Sequence, residues 1–348
     1  MSQAKIQIRE LTKVFGTRPE QALSLLAQGL SKDEIFQRTG QVVGLSRVSF
    51  DVEAGEIYVL MGLSGSGKST LIRLINRLVE PTSGAVTIDG RDVVRMRPAE
   101  LVRWRRKRVA MVFQSFALMP HRSVFDNVAF GLEIAAEASS RYRDRVMDVL
   151  EQVGLKAYAQ KYPRQLSGGM QQRVGLARAM AVDPDILLMD EAFSALDPLK
   201  RTEMQDLMLE LQREHRRTIF FVSHDLEEAL KIGSRIGIME GGLLVQQGTP
   251  HEIVTRPAND YVRRFFKGVD TSRYLTAADL VDTGGAVDPL AHFNGRNRLS
   301  ASTTLPDALR TVLGLDQPVG VFDEAERLVG CITPKSLLTK IASTRHAF

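Results

Sequence analysis

Nine residues, Gly62-Leu63-Ser64-Gly65-Ser66-Gly67-Lys68-Ser69-Thr70, restrict this chain more than any other stretch. The apolar run Ile57-Tyr58-Val59-Leu60-Met61 before them reads as a buried strand. Leu71-Ile72-Arg73-Leu74-Ile75 after them carries apolar residues at helical spacing. Strand, glycine-rich turn and helix together match G-x-x-x-x-G-K-[ST], a phosphate-binding loop. Glycines let backbone N–H groups crowd around phosphate oxygens, and the helix N-terminus adds a dipole that favours anions. This layout predicts Lys68 on the β- and γ-phosphates and the Ser69 hydroxyl on Mg²⁺. Gly62, Ser64, Gly65, Ser66, Gly67 and Thr70 complete the expected nucleotide cradle.

Other runs end in residues that suit the same chemistry. Ile186-Leu187-Leu188-Met189 reads as a buried strand ending at Asp190, the position from which P-loop enzymes hold Mg²⁺. Glu191 follows, placed to polarise an attacking water. The strand Thr218–Val222 ends at Ser223-His224-Asp225, and a histidine at such a tip can contact a γ-phosphate. Val109–Phe113 ends at Gln114, whose amide oxygen can bind Mg²⁺ or orient a water. Ser167-Gly168-Gly169 opens a helix expected over Val174 to Ala181, a second anion-binding N-terminus. One chain cannot easily aim two such termini at one γ-phosphate; a sandwich of two chains can. Ser194–Asp197 makes a turn after the acidic pair. Phe15 closes an alternating strand over 5–15, where its ring can stack on an adenine.

Between these stretches, residues 19–40 carry Leu23, Leu26, Leu30, Ile35 and Phe36 among polar residues, the pattern of one or two short amphipathic helices. Val42 to Glu53 alternates as a strand, and Ala85–Ile88 is expected as another. Helical periodicity from Val124 to about Tyr162 implies an inserted helical subdomain, spanning about 115–180 with its flanks. With 44% hydrophobic and 25% charged residues, the chain has the content for a proper core. A single cysteine, Cys331, excludes an internal disulfide framework and fits a reducing, cytosolic setting. The N-terminus lacks the apolar core of a secretory signal, and no window approaches the ~20 apolar residues of a membrane span. Work at a membrane therefore needs a partner. The net charge of +5 only weakly suits nucleic acid or anionic lipid, and its sharpest cluster, Arg103–Arg108, reads as a solvated helix end.

Assembled in order, these motifs resemble the ATPase subunits of ABC transporters over residues 1 to about 268. Gly62–Thr70 looks like Walker A, Gln114 the Q-loop and Leu166–Gln171 the signature motif. Asp190-Glu191 looks like the end of Walker B with its catalytic glutamate, Ser194–Asp197 the D-loop and His224 the switch histidine. Phe15 falls at the adenine-stacking aromatic. The stretches Arg18–Gly40, Met111–Asn127 and Leu187–Gln205 further resemble the ATPases of glycine betaine/proline betaine importers. The resemblance implies an α/β P-loop fold with antiparallel β and helical subdomains, ATP and Mg²⁺ as cofactors, and Asp197 among the nucleotide-site residues. It also implies ATP sandwiched between two copies of the chain, a transmembrane permease, a substrate-binding protein and a place on the cytoplasmic face of the membrane. The alternatives are a soluble ABC protein acting on nucleic acid or the ribosome, against which one cassette, no coiled-coil insert and an apolar Q-loop argue, and an ABC importer ATPase for a different small solute.

Around residues 268–270 that pattern stops, and 271–299 is poorly periodic, with turns at Thr283-Gly284-Gly285 and Asn294-Gly295. From Ser300 the expected order is helix (Leu305–Leu313), strand (Val319–Phe322), strand (Leu328–Ile332) and helix (Lys335–Ile341). Residues 269–348 thus resemble a single CBS regulatory repeat. Two departures mark it: such repeats work in pairs, and Ser336 stands where nucleotide-binding repeats carry an acid.

Overall fold

Short apolar runs with few polar interruptions become parallel strands buried on both faces. In this computed structural model, which describes residues 4–115, 117–135, 139–267, 269, 272–281, 293, 297–315 and 317–339, five such runs pair side by side. Their order is Arg235–Glu240, Ile57–Met61, Thr218–Ser223, Ile186–Asp190 and Val109–Val112, all parallel, with Leu243–Gly248 outside the first. Every residue of Ile57–Met61, Thr218–Ser223 and Ile186–Asp190 is buried. A second sheet is antiparallel, in the order Val42–Glu53, Ala4–Phe15, Ser83–Ile88 and Arg91–Asp92. Its strands alternate buried and exposed residues, the mark of a sheet with one covered face.

The two sheets share one core. Phe50 of the antiparallel sheet stacks on Tyr58 at 4.9 Å between ring centroids, and Tyr58 stacks on Phe220 at 5.7 Å. The same cluster holds Leu71, Ile72, Leu74 and Ile75, so the helix Lys68–Ile75 has its apolar face fixed between the sheets. Arg105 secures the other end of that helix, donating through Nε to Asn76 O at 2.8 Å and through its second amino group to Arg77 O. A cation on the last carbonyls of a helix suits its dipole. The basic cluster is therefore more than a solvated helix end: within the helix Pro98–Arg108, Arg105 performs this capping and Arg108 pairs with Asp185 at 2.6 Å.

The helices Val124–Ile134, Ser139–Gln152 and Gly168–Ala181 form the expected helical layer. The last begins at Gly168 rather than Val174, because Ser167 caps it by accepting from Met170 N. Fully buried Asn127 ties down the stretch before the first helix. It accepts from Met119 N at 2.8 Å and donates to the carbonyls of Met119, Arg122 and Ser123. The segment 19–40 is two helices, Pro19–Ala27 and Lys32–Thr39, whose Ala22 and Ile35 bury against Val14 and Val43.

The chain divides into two compact units, Met1–Gln247 and Gly248–Phe348. The second thus starts ahead of the 268/269 boundary expected from sequence and includes the helices Pro250–Thr255 and Asp260–Phe265. Within it, His251 Nε2 lies 2.7 Å from Asp279 Oδ2, tying the first of these helices to Ala277–Leu280. Its sheet orders Arg298–Ser300, Val319–Phe322 and Leu328–Ile332, the first pair parallel and the second antiparallel. The helix Leu305–Leu313 makes the parallel crossover. Both strands and that helix fall on their expected residues. Thr333 and Ser336 cap the final helix, described through 339, reciprocally: Thr333 N donates to Ser336 Oγ and Ser336 N to Thr333 Oγ1. The turns expected at Thr283–Gly285 and Asn294-Gly295 lie outside the described residues. Cys331 is a free, partly buried thiol.

The stacked rings give a direct test. Phe220→Ala should cost about 3–5 kcal/mol, the range for emptying a buried aromatic site. Urea unfolding followed by fluorescence of Trp104, which sits in the same cluster, should show the midpoint fall; an unmoved midpoint would show that this stack does not hold the sheets together.

Candidate nucleotide site

The site forms where three parallel strands end together. Met61 lies opposite Ser223, and Asp190 opposite Val222, so the residues following each strand emerge at one level. Ligands in parallel α/β sheets gather at this carboxyl edge.

After Met61 the backbone turns through Gly62, at φ +153°, and Gly67, at φ +103°, before the helix Lys68–Ile75 begins. A Cβ on Gly67 would stand 2.7 Å from Leu45 Cδ2 and 2.9 Å from Gly44 O. Only glycine makes this turn and leaves the helix N–H groups open. Ser66 is buried, and its Oγ has no hydrogen-bond partner among the described residues, a donor left for an oxygen within the loop. Lys68 Nζ donates to Gly62 O at 2.7 Å and Leu63 O at 3.1 Å, arching over the loop. Burial holds its ammonium below the usual lysine range, with Glu191 and Asp190 pulling the other way. Ser64 and Gly65 are exposed at the loop tip, and Thr70 is half-buried on the helix. The loop's form fits a phosphate chain.

Ser69 Oγ donates to Asp190 Oδ1 at 3.2 Å, so two of the three expected Mg²⁺ ligands are brought together, Gln114 being the third. A hydroxyl beside a carboxylate is an all-oxygen donor set of the kind a hard divalent cation takes. Burial raises the Asp190 carboxyl, opposed by the Ser69 bond and by Arg73. Glu191 stands at φ +48°, a conformation costing a non-glycine residue about 1 kcal/mol or more. It is held there because its N–H donates to Val222 O at 3.1 Å, and its carbonyl accepts from Ser194 Oγ at 2.9 Å. His224 Nδ1 lies 3.4 Å from Glu191 Oε2.

Sequence reasoning missed the residues that brace His224. Buried Glu228 accepts from Ser223 Oγ at 2.6 Å and Gln205 Nε2 at 3.1 Å, while burial raises its carboxyl. Asp225 caps the helix Leu226–Ile232 through Glu228 N and pairs with Arg201 at 2.8 Å. The D-x-x-E spacing is a helix-start signal that points to this brace.

Phe15 is exposed, and its ring lies across Gly44, where a Cβ would stand 2.8 Å from Phe15 Cε2. Gly44 in turn abuts Gly67, so the ring stands beside the phosphate loop. Other expected residues are not brought to the loop by bonds of their own. Gln114 is exposed after its strand, and its side chain makes no hydrogen bond among the described residues. Ser167 and Gly168 are exposed at the head of their helix, with Gly169 packed on Lys200. Asp197 caps the helix Pro198–His215, accepting from Lys200 N at 3.1 Å.

Strand ends, glycine loop and acidic pair define a P-loop nucleoside triphosphatase. The ABC transporter family matches residues 45–194. The glycine betaine/proline betaine transport system ATP-binding protein ProV of Escherichia coli is 52% identical over 97% of this chain and 82% of its own length. The glycine betaine/carnitine transport ATP-binding protein GbuA of Listeria monocytogenes is 53% identical over 80% of this chain and 70% of its own. Among solved structures, the dimeric post-hydrolysis state of the ATP-binding cassette MJ0796 bound to ADP and Pi aligns with a TM-score of 0.59. It is 30% identical and covers 70% of this chain and 98% of that one. The chain belongs to the ATP-binding subunits of ABC transporters, and it is an ATPase of that family. No helix among the described residues is long and apolar enough to cross a membrane.

Gly67→Ala should weaken binding of fluorescent ADP at least tenfold, since the φ alone costs about 1–2 kcal/mol and the new Cβ meets Gly44 O. Fluorescence titration of the folded variant reads this; wild-type affinity would remove the tight turn from the binding account.

Proposed function

We propose that this chain powers an ABC importer of glycine betaine, proline betaine or a related quaternary amine. One observation supports the ATPase half most strongly: Lys68, Ser69, Asp190, Glu191 and His224 lie together at the ends of adjacent parallel strands. The cargo class rests on the relative that is 52% identical across nearly the whole chain.

In this reading ATP lies along the loop with its base on Phe15. Backbone N–H groups of 62–69 and Lys68 hold the β- and γ-phosphates. Positioning and charge stabilisation carry most of phosphoryl transfer, which suits a site built of donors. Ser69 and Asp190 hold Mg²⁺, with Gln114 joining them; bound there, the ion neutralises charge on the β- and γ-oxygens. Glu191 orients water and takes its proton, while His224 supports the pair from the neighbouring strand.

Position at a helix head separates a second group. Ser167, Gly168 and Gly169 head a helix whose N-terminal donors suit the γ-phosphate held by another copy of the chain. Closure of two copies head to tail supplies them and brings the Asp197 turns together. The apolar stretch after Gln114, fixed through Asn127, suits a membrane-spanning permease that receives cargo from a substrate-binding protein. The working place is then the cytoplasmic face of the membrane. Residues 269–348, the larger part of the second compact unit, read as a single CBS-like module.

Two outcomes test this. Glu191→Gln should still bind ATP and pair, yet hydrolyse at least about a hundredfold more slowly, the scale of a lost general base. Wild-type turnover would remove Glu191 from that role. Proteoliposomes holding this subunit with its permease and binding protein should take up labelled glycine betaine, and Lys68→Ala should abolish uptake. ATP hydrolysis without betaine uptake would move the cargo to carnitine or another amine.

A further inference from the structure

We propose that Lys32, on the second helix of the inserted pair, is a nucleotide-binding residue that donates to the phosphate chain. This rests on the nucleotide reading of the loop at 62–69.

The insert delivers Lys32 by ordinary means. Ser31 and Glu34 form a reciprocal capping box, fixing Lys32 as the first residue of its helix. Ile35, one turn on and on the same face, is fully buried against Val14, Ala22 and Val43. That anchor turns Lys32 toward Gly44, the residue after Val43. Its Nζ donates to Gly44 O at 3.4 Å, and a Cβ on Gly242 would stand 2.1 Å from Nζ. Gly242 N donates to Ser66 O at 2.9 Å, so this turn is itself bonded to the phosphate loop.

Gly44 is the meeting point. Its carbonyl abuts Gly67 at the head of the loop helix, its Cα carries the Phe15 ring, and its oxygen holds Lys32. The ammonium therefore sits on the same residue that touches both the ring expected to carry the base and the head of the loop helix. Its surroundings do not satisfy it. An ammonium offers three donors, and this one has a single long bond among the described residues. It also occupies the first position of a helix, where the dipole disfavours a cation. Burial lowers its pKa to about 8, with only Asp33 opposing. A phosphate oxygen between base and helix would answer each of these deficits.

The test uses the whole chain and fluorescent ADP. Lys32→Gln should weaken ADP about tenfold, the scale of one charge-assisted hydrogen bond. Lys32→Arg should restore most of the affinity, and competition by adenosine, which lacks phosphate, should be unchanged. In the wild-type chain, ADP should slow acetylation of Lys32 by an N-hydroxysuccinimide ester, mapped by mass spectrometry, while adenosine should not. This labelling needs no variant to fold. Unchanged ADP affinity in Lys32→Gln, or equal labelling of Lys32 with and without bound ADP, would overturn the assignment. Failure of the wild-type chain to bind fluorescent ADP would instead overturn the nucleotide reading beneath it.

Discussion

The register between three parallel strands is the constraint on which this molecule depends. Met61 pairs with Ser223 and Asp190 with Val222, so the glycine loop, the acidic pair and His224 all start from one edge. A slip of one residue would turn every side chain of a strand to the other face. Both faces of these strands are buried and apolar, so the slip is costly through side-chain fit rather than polarity: Tyr58 and Phe220 would leave the positions where their rings stack. The ring stack of Phe50, Tyr58 and Phe220 then locks this sheet to the antiparallel one. Site geometry is thus a consequence of core packing.

Charge is handled by mutual compensation rather than by exposure. Lys68 is buried and pushed toward its neutral form, while Asp190 and Glu191 hold it charged. Asp190 is pushed toward its own neutral form by burial and held charged by Ser69, Arg73 and Lys68. Each group costs stability alone and is tolerable only beside the others. The same holds behind His224, where buried Glu228 is satisfied by Ser223 and Gln205. Such preorganised charge is what a phosphoryl-transfer site requires, because little reorganisation is left for the reaction itself.

Legibility in the sequence followed from how local each constraint is. The strand Ile57–Met61, the loop and the helix are adjacent in the chain, and apolar run, glycine spacing and helical period specify them without outside help. Asp190 and His224 were readable because each closes an apolar run. The tail strands Val319–Phe322 and Leu328–Ile332 were readable for the same reason. What escaped was set by partners distant in sequence. Arg105 looked like one arginine among several, yet it caps a helix some 30 residues earlier. The helix start at Gly168 is not legible from periodicity, since its two glycines have poor helix propensity and only the Ser167 cap reveals it. The joining of the helix Pro250–Thr255 to the second compact unit is likewise distant in sequence, His251 meeting Asp279 across 28 residues.

Exposure divides the site residues into two kinds. Lys68, Asp190 and Ser66 are buried, and Glu191 is fixed through its backbone; these groups are complete within one chain. Phe15, Gln114, Ser167 and Gly168 are exposed, at a strand end, just beyond one, and at a helix start. An exposed glycine at a helix head contributes nothing to a core and leaves its N–H groups open. A chain selected for stability alone would place a better helix former there. The arrangement is coherent if the buried half prepares the phosphates and the exposed half is completed from outside. Each part then bears on the other only when nucleotide joins them, which is how a machine that must open and close differs from an enzyme finished within one chain.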